Sequence, residues 1–145
     1  MSFWDTSALA KLYVPEADSA FFQQHAAQTA AITVARLALL EMRRVAHQKE
    51  TDGLLQKGGA ELILQQLTTD AQSGRLNIVE LRTEVEQDFA RIMSQCYAKS
   101  PPIQLRTLDG LHLASARVAG ETEFVVTDRR LRDAALAMGF AVFPP

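Results

Sequence analysis

Short apolar runs and longer stretches of helical periodicity alternate along the chain. Ser2-Phe3-Trp4 is a brief apolar run that stops at Asp5-Thr6-Ser7, after which Ala8, Leu9, Leu12 and Tyr13 recur at the spacing of one helix face. Pro15 and Glu16 break that helix. A second helical stretch carrying Phe21 and Phe22 leads to Ala30-Ala31-Ile32-Thr33-Val34, which reads as a buried strand. Helices are expected from about Arg36 to Gln48 and, past the turn Thr51-Asp52-Gly53, from Leu54 to about Asp70. Leu76 to Leu81 alternates weakly as a strand. Thr83 and Glu86 have capping-box spacing ahead of Val85, Phe89, Ile92, Met93 and Cys96, and this helix should stop before Pro101-Pro102. Thr107 is placed to cap a helix holding Leu108, Leu111, Ala114 and Val118, which Gly120 ends. Glu123-Phe124-Val125-Val126-Thr127 is the clearest strand, followed at once by Asp128. A last helix, Arg129 to Met138, stops at Gly139 before a short strand, Phe140 to Phe143.

Strands too apolar to face water, separated by helices, imply an α/β fold: a parallel sheet covered by helices on both faces. The 145 residues suit one domain spanning the whole chain, with no internal repeat and no linker. At 48% hydrophobic and 22% charged residues, the composition is that of a globular chain and excludes a disordered or fibrous one. No window is apolar enough to cross a membrane, and Asp5 stands where a secretory leader would be basic and then apolar, so a cytoplasmic protein is expected. Cys96 is the single cysteine, which rules out internal disulfides and cysteine-rich zinc sites and reads as a core thiol. Fifteen Lys and Arg against seventeen Asp and Glu give a net charge of −2, so any contact with nucleic acid must be local.

Candidate chemistry gathers at the strand-to-helix transitions. Asp5, Asp109 and Asp128 each stand where strand or loop enters a helix, and in an open parallel sheet ligands bind beyond the carboxyl ends of the strands. Each could also be only a helix cap. Glu41 lies between Leu37 and Val45 on a largely apolar helix, which makes it at least partly buried and in need of a partner: Arg44 at i+3, or a cation shared with the three Asp residues. Carboxylates converging on one pocket repel, and hard Mg2+ or Mn2+ relieves the repulsion. His112, one turn after Asp109, suits a supporting hydrogen bond, since no second His lies at ligand spacing. Thr6, Ser7 and Thr127 bring hydroxyls beside the acids. Arg129, Arg130 and Arg132, with Lys11 and Arg106 on the same edge, could grip phosphates or form a solvated face.

The strings Asp5-Thr6-Ser7-Ala8-Leu9, Leu39-Leu40-Glu41, Leu108-Asp109-Gly110-Leu111-His112-Leu113-Ala114 and Val126-Thr127-Asp128-Arg129-Arg130-Leu131 together resemble the PIN-domain family, in particular the VapC-type toxins of toxin–antitoxin pairs. The resemblance runs from first strand to last, in the family's order. It implies a three-layer α/β/α sandwich and a Mg2+- or Mn2+-dependent endoribonuclease acting on structured RNA. Carried over, the family's acidic quartet falls on Asp5, Glu41, Asp109 and Asp128. Asp5, Asp109 and Asp128 are then the expected metal ligands, and Glu41 and Asp128 complete the cage and orient the attacking water. Thr6, Thr127 and His112 support them, and Arg129 and Arg130 meet the RNA. Gly110 stands where the family usually has Ala, and Asp133 adds an acid without an assigned role. A carboxylate-held divalent ion can activate water and stabilise phosphoryl charge without a Ser, Cys or His nucleophile. The resemblance also implies a cognate antitoxin and a homodimer or larger complex. Phe21 and Phe22 point about 100° apart on a helix, so at least one is expected to remain exposed for an antitoxin helix, whose Arg would reach the acidic pocket. Two rivals are a receiver-like Mg2+-binding signalling module, which would need a Lys after a late strand where none follows Lys99, and a PIN-like scaffold that binds without cutting, which predicts loss of an acid where all four are present.

Overall fold

Successive residues of the central strands are buried in opposite directions, which is what a sheet covered on both faces requires. A computed structural model describes residues Met1–Pro145. Its strands are β1 (Ser2–Trp4), β2 (Ile32–Ala35), β3 (Leu76–Val79), β4 (Glu123–Val125) and β5 (Ala141–Phe143), joined in one all-parallel sheet of order β3-β2-β1-β4-β5. Phe3 packs into one core and Trp4 into the other; Phe124 and Val126 join Phe3, whereas Val125 joins Trp4. The Trp4 core is covered by α1 (Thr6–Tyr13), α2 (Ser19–Ala26), α3 (Arg36–Thr51) and α4 (Gly59–Ser73), through residues such as Leu9, Phe22, Met42 and Leu64. The Phe3 core is covered by α5 (Thr83–Tyr97), α6 (Thr107–Val118) and α7 (Arg129–Ala137), through Ile92, Leu113 and Leu131. The expected three-layer α/β/α sandwich is therefore present. Cys96 is fully buried in the Phe3 core, as a core thiol should be. Of the adjacent aromatics, Phe22 is buried and Phe21 is half exposed.

Several element bounds differ from the sequence expectation. The helix expected from Leu54 begins at Gly59, because Gly58 takes a left-handed φ of +85° that a helix interior does not accommodate. Its free Ala60 N–H is capped at 2.9 Å by the Glu50 carboxylate, supplied by α3, which itself runs on to Thr51. Thr83 and Thr107 do not cap α5 and α6. They are the first residues inside these helices, and Arg82 and Arg106 occupy the N-cap positions without a side-chain hydrogen bond. The second strand starts two residues later than expected, at Ile32, and the third ends at Val79.

The strand order fixes the site. From β1 the chain moves outward to β2 and β3, then returns across the sheet through α5 and α6 to place β4 on the other side of β1. The direction of winding reverses between β1 and β4, and the crevice beyond their carboxyl ends is the place where open α/β sheets bind ligands.

Candidate active site

Asp5 follows β1 directly and caps α1. Its Oδ1 accepts from the Ala8 N–H at 3.0 Å, while the Ser7 hydroxyl lies 2.8 Å from both of its oxygens. The residue is only 4% exposed, and this burial pushes its carboxyl up to about 6, with His112, Ser7 and Ala8 pulling the other way. Asp128, beyond β4, caps α7: its Oδ1 accepts from the N–H groups of Arg130 at 2.8 Å and Leu131 at 3.1 Å. These two acids fulfil the capping role that chemistry at a helix start permits, and both also face the crevice. Asp109 is not a cap. It sits in the first turn of α6 and accepts from Arg106 Nε at 3.1 Å.

Glu41, in the second turn of α3, does not pair with Arg44. Its Oε1 instead receives the Thr6 hydroxyl at 2.6 Å and lies 2.8 Å from His112 Nε2. Burial raises the Glu41 carboxyl, but the hydrogen bonds from His112 and Thr6 outweigh it and hold the group below its ordinary value. The Thr6, Glu41 and His112 side chains thereby tie α1, α3 and α6 together at the mouth of the sheet. His112 is buried, edge-on to the Phe3 ring at 6.1 Å, and its Nδ1 has no partner.

The side chains of Asp5, Glu41, Asp109 and Asp128 line a single crevice of about 370 Å³, together with Thr6, Ser7, His112 and Thr127. The Thr127 hydroxyl makes no hydrogen bond to the acids; its backbone N–H reaches Ser7 Oγ at 3.3 Å and so ties the end of β4 to α1. Arg129 and Arg130 are exposed on α7 and lie outside the crevice lining, and Asp133 is also exposed there. The cations that do line the crevice are Lys11, Arg44, Lys49 and Arg106. Lys11 and Lys49 are held by Glu16 at 2.9 and 3.1 Å, and Lys11 also by Asp18 at 2.9 Å. Sequence reasoning missed Lys49 and Glu16. The available signal was Lys49 at i+8 from Glu41, two turns along the same helix face.

The donor set suits a hard divalent cation. It is built of carboxylate oxygens with no thiolate, and the one imidazole nitrogen facing the acids is already spent on Glu41. Glu41 Oε2 and Asp109 Oδ1 carry no internal hydrogen bond, so oxygens remain for a ligand. No trio of acidic, His or Cys side chains is drawn to the spacing of a closed metal cage. Arg106 reaches in among them, 3.1 Å from Asp109 and 3.6 Å from Asp128.

The model of the PIN domain family matches residues 3–136 of this chain. No curated protein matches it. Among solved structures, FitAcB from Neisseria gonorrhoeae superposes with a TM-score of 0.74 at 17% identity, covering 100% of this chain and 98% of its own. VapC20 from Mycobacterium tuberculosis, described as a sarcin–ricin loop cleaving toxin, gives 0.67 at 15% identity and covers 97% of both chains. A toxin–antitoxin complex from Klebsiella pneumoniae gives 0.61 at 16% identity, covering 88% of this chain and 87% of the other.

Proposed function

The chain belongs to the PIN domain family, and on that premise we propose that it is a Mg2+- or Mn2+-dependent endoribonuclease, the toxin of a toxin–antitoxin pair. The observation that carries the reading is the gathering of Asp5, Glu41, Asp109 and Asp128, from four separate elements, around one crevice at the switch point of the sheet. Asp5, Asp109 and Asp128 would hold the metal, which when bound activates water and offsets charge on the phosphoryl oxygens. The chain's own groups do the rest. Glu41, kept ionised by Thr6 and His112, orients the attacking water. Ser7 and the Ala8 N–H fix the rotamer of Asp5, as the start of α7 fixes Asp128. Arg44, which forms no ion pair, gives the crevice lining positive charge for an RNA backbone, Lys11 and Lys49 add to it beside Glu16, and Arg129 and Arg130 extend it outside. Residues 1–145 act as one nuclease domain in this reading.

The receiver-like alternative fails on topology. Receiver modules follow the order 2-1-3-4-5, whereas this sheet is β3-β2-β1-β4-β5. A cognate antitoxin partner is supported by the likeness to the Klebsiella toxin–antitoxin complex, and in this reading the toxin assembles with it as a homodimer or larger complex. Phe21, half exposed and stacked on Phe143 at 5.0 Å, is the member of the aromatic pair that an antitoxin helix would meet.

The test is cleavage of RNA by the purified chain with and without Mg2+ or Mn2+. Cleavage should require the ion, stop with a chelator, and fall by about a hundredfold or more in Asp109→Asn. Chelator-resistant cleavage, or full activity in Asp109→Asn, would contradict the assignment.

A further inference from the structure

We propose that Arg106 is the crevice's resident counter-ion, which yields its place to the divalent cation and then carries its charge to the RNA phosphate. This rests on the nuclease reading above and assigns that site a further residue. Arg106 is the one Lys or Arg whose side chain forms ion pairs with the acidic quartet. Lys11 and Lys49 are engaged by Glu16 and Asp18, and Arg44 makes no ion pair. Without a metal, like charges around the crevice repel, and a guanidinium between Asp109 and Asp128 offsets that repulsion.

The grip is loose. Nε reaches Asp109 Oδ2 at 3.1 Å, but Nη2 stands 3.6 Å from Asp128 Oδ2, beyond hydrogen-bond range, so the planar fork is not used as a bidentate clamp on either carboxylate. The Arg106 side chain is 69% exposed, and ion pairs at such exposure are weak. Its backbone, by contrast, is fixed: Arg106 is the N-cap of α6, and its carbonyl accepts from the Gly110 N–H at 2.9 Å. A divalent ion bound by the same carboxylates competes directly with the guanidinium. Once displaced, the side chain stays tethered three residues before Asp109, at the lining of the crevice that an RNA phosphate would enter. Most of its five N–H donors are then free, in a geometry that matches phosphate oxygens.

The two halves of the proposal have separate readouts. Mn2+ affinity, measured by calorimetry without RNA, should rise several-fold in Arg106→Gln because a competing cation is gone. At saturating Mn2+ the same variant should cut RNA with kcat lowered about tenfold or more, since a charged donor to the transition state is lost. Arg106→Lys, which keeps the charge without the fork, should bind Mn2+ like the parent and recover part of kcat. Unchanged Mn2+ affinity in Arg106→Gln overturns the counter-ion role. Tighter Mn2+ binding with undiminished kcat makes Arg106 only a plug and overturns the phosphate role. If the parent binds Mn2+ yet cuts no RNA, the nuclease reading and the phosphate role fall, while the affinity comparison still decides the counter-ion role.

Discussion

Asp5 and Glu41 line the same crevice, yet their surroundings move their proton affinities in opposite directions. Glu41 is offered hydrogen bonds by Thr6 and His112 that favour its ionised form, while Asp5, more deeply buried, is pushed from the ordinary 3.8 to about 6. A carboxyl that is harder to ionise folded than unfolded favours the folded chain while protonated. That contribution is whole below pH 3.8 and is lost as the pH climbs through about 6. Above that pH the metal-free chain carries a buried carboxylate at a cost on the order of 3 kcal/mol, which a bound cation would offset. The melting temperature gained from Mn2+ should therefore be small near pH 5 and grow to a plateau above about pH 7. Asp5→Asn should raise the melting temperature of the metal-free chain near neutral pH and abolish the gain from Mn2+. A scanning-fluorimetry series across that pH range checks both, and a metal-dependent gain that stays flat with pH contradicts the account. All four acids were legible in the sequence as residues at strand-to-helix transitions or on an apolar helix. The Thr6, Glu41 and His112 cluster was not, because it joins residues 35 and 71 positions apart that only the sheet order brings together.

The elements that carry the acids are held at distances the side chains dictate. α6 presses against α5 at Gly110, where an added Cβ would sit 2.7 Å from a ring carbon of Phe89 and 3.1 Å from the Met93 methyl. An Ala at this position would press on a neighbouring helix in this chain. Gly110→Ala would gain about 1 kcal/mol of helix propensity, but a rigid ring must move to admit it, and overpacking of this kind costs about 1–3 kcal/mol. A net destabilisation is expected, with cleavage reduced because Asp109 and His112 flank the displaced turn. Phe89→Leu in the same chain should recover part of the stability lost to Gly110→Ala. A double-mutant cycle by chemical denaturation measures that coupling, and simple additivity would contradict the packing argument. At this scale the presence of each strand and the helix ends before Gly120 and Gly139 were legible, since apolar runs and these positive-φ residues are local signals. Helix starts were less so. Glu50 caps α4 from the end of the preceding helix, ten residues upstream, outside any capping-box spacing.

Across the whole molecule, an excess of acid is compatible with the proposed action on RNA because the charges are arranged. The acids crowd the switch point of the sheet, while Lys11, Arg44, Lys49 and the exposed Arg106 also line the crevice. The layered architecture was legible from the alternation of buried strands and amphipathic helices. The order of the strands was not, yet that order places β4 beside β1 and so Asp128 across the crevice from Asp5. The nuclease reading requires this crevice to hold a divalent ion. Anomalous scattering from crystals of the chain soaked in Mn2+ tests it most directly. The account predicts a peak bounded by Asp5, Glu41, Asp109 and Asp128 that disappears in Asp109→Asn; an empty crevice at saturating Mn2+, or an ion bound only elsewhere on the molecule, would contradict it.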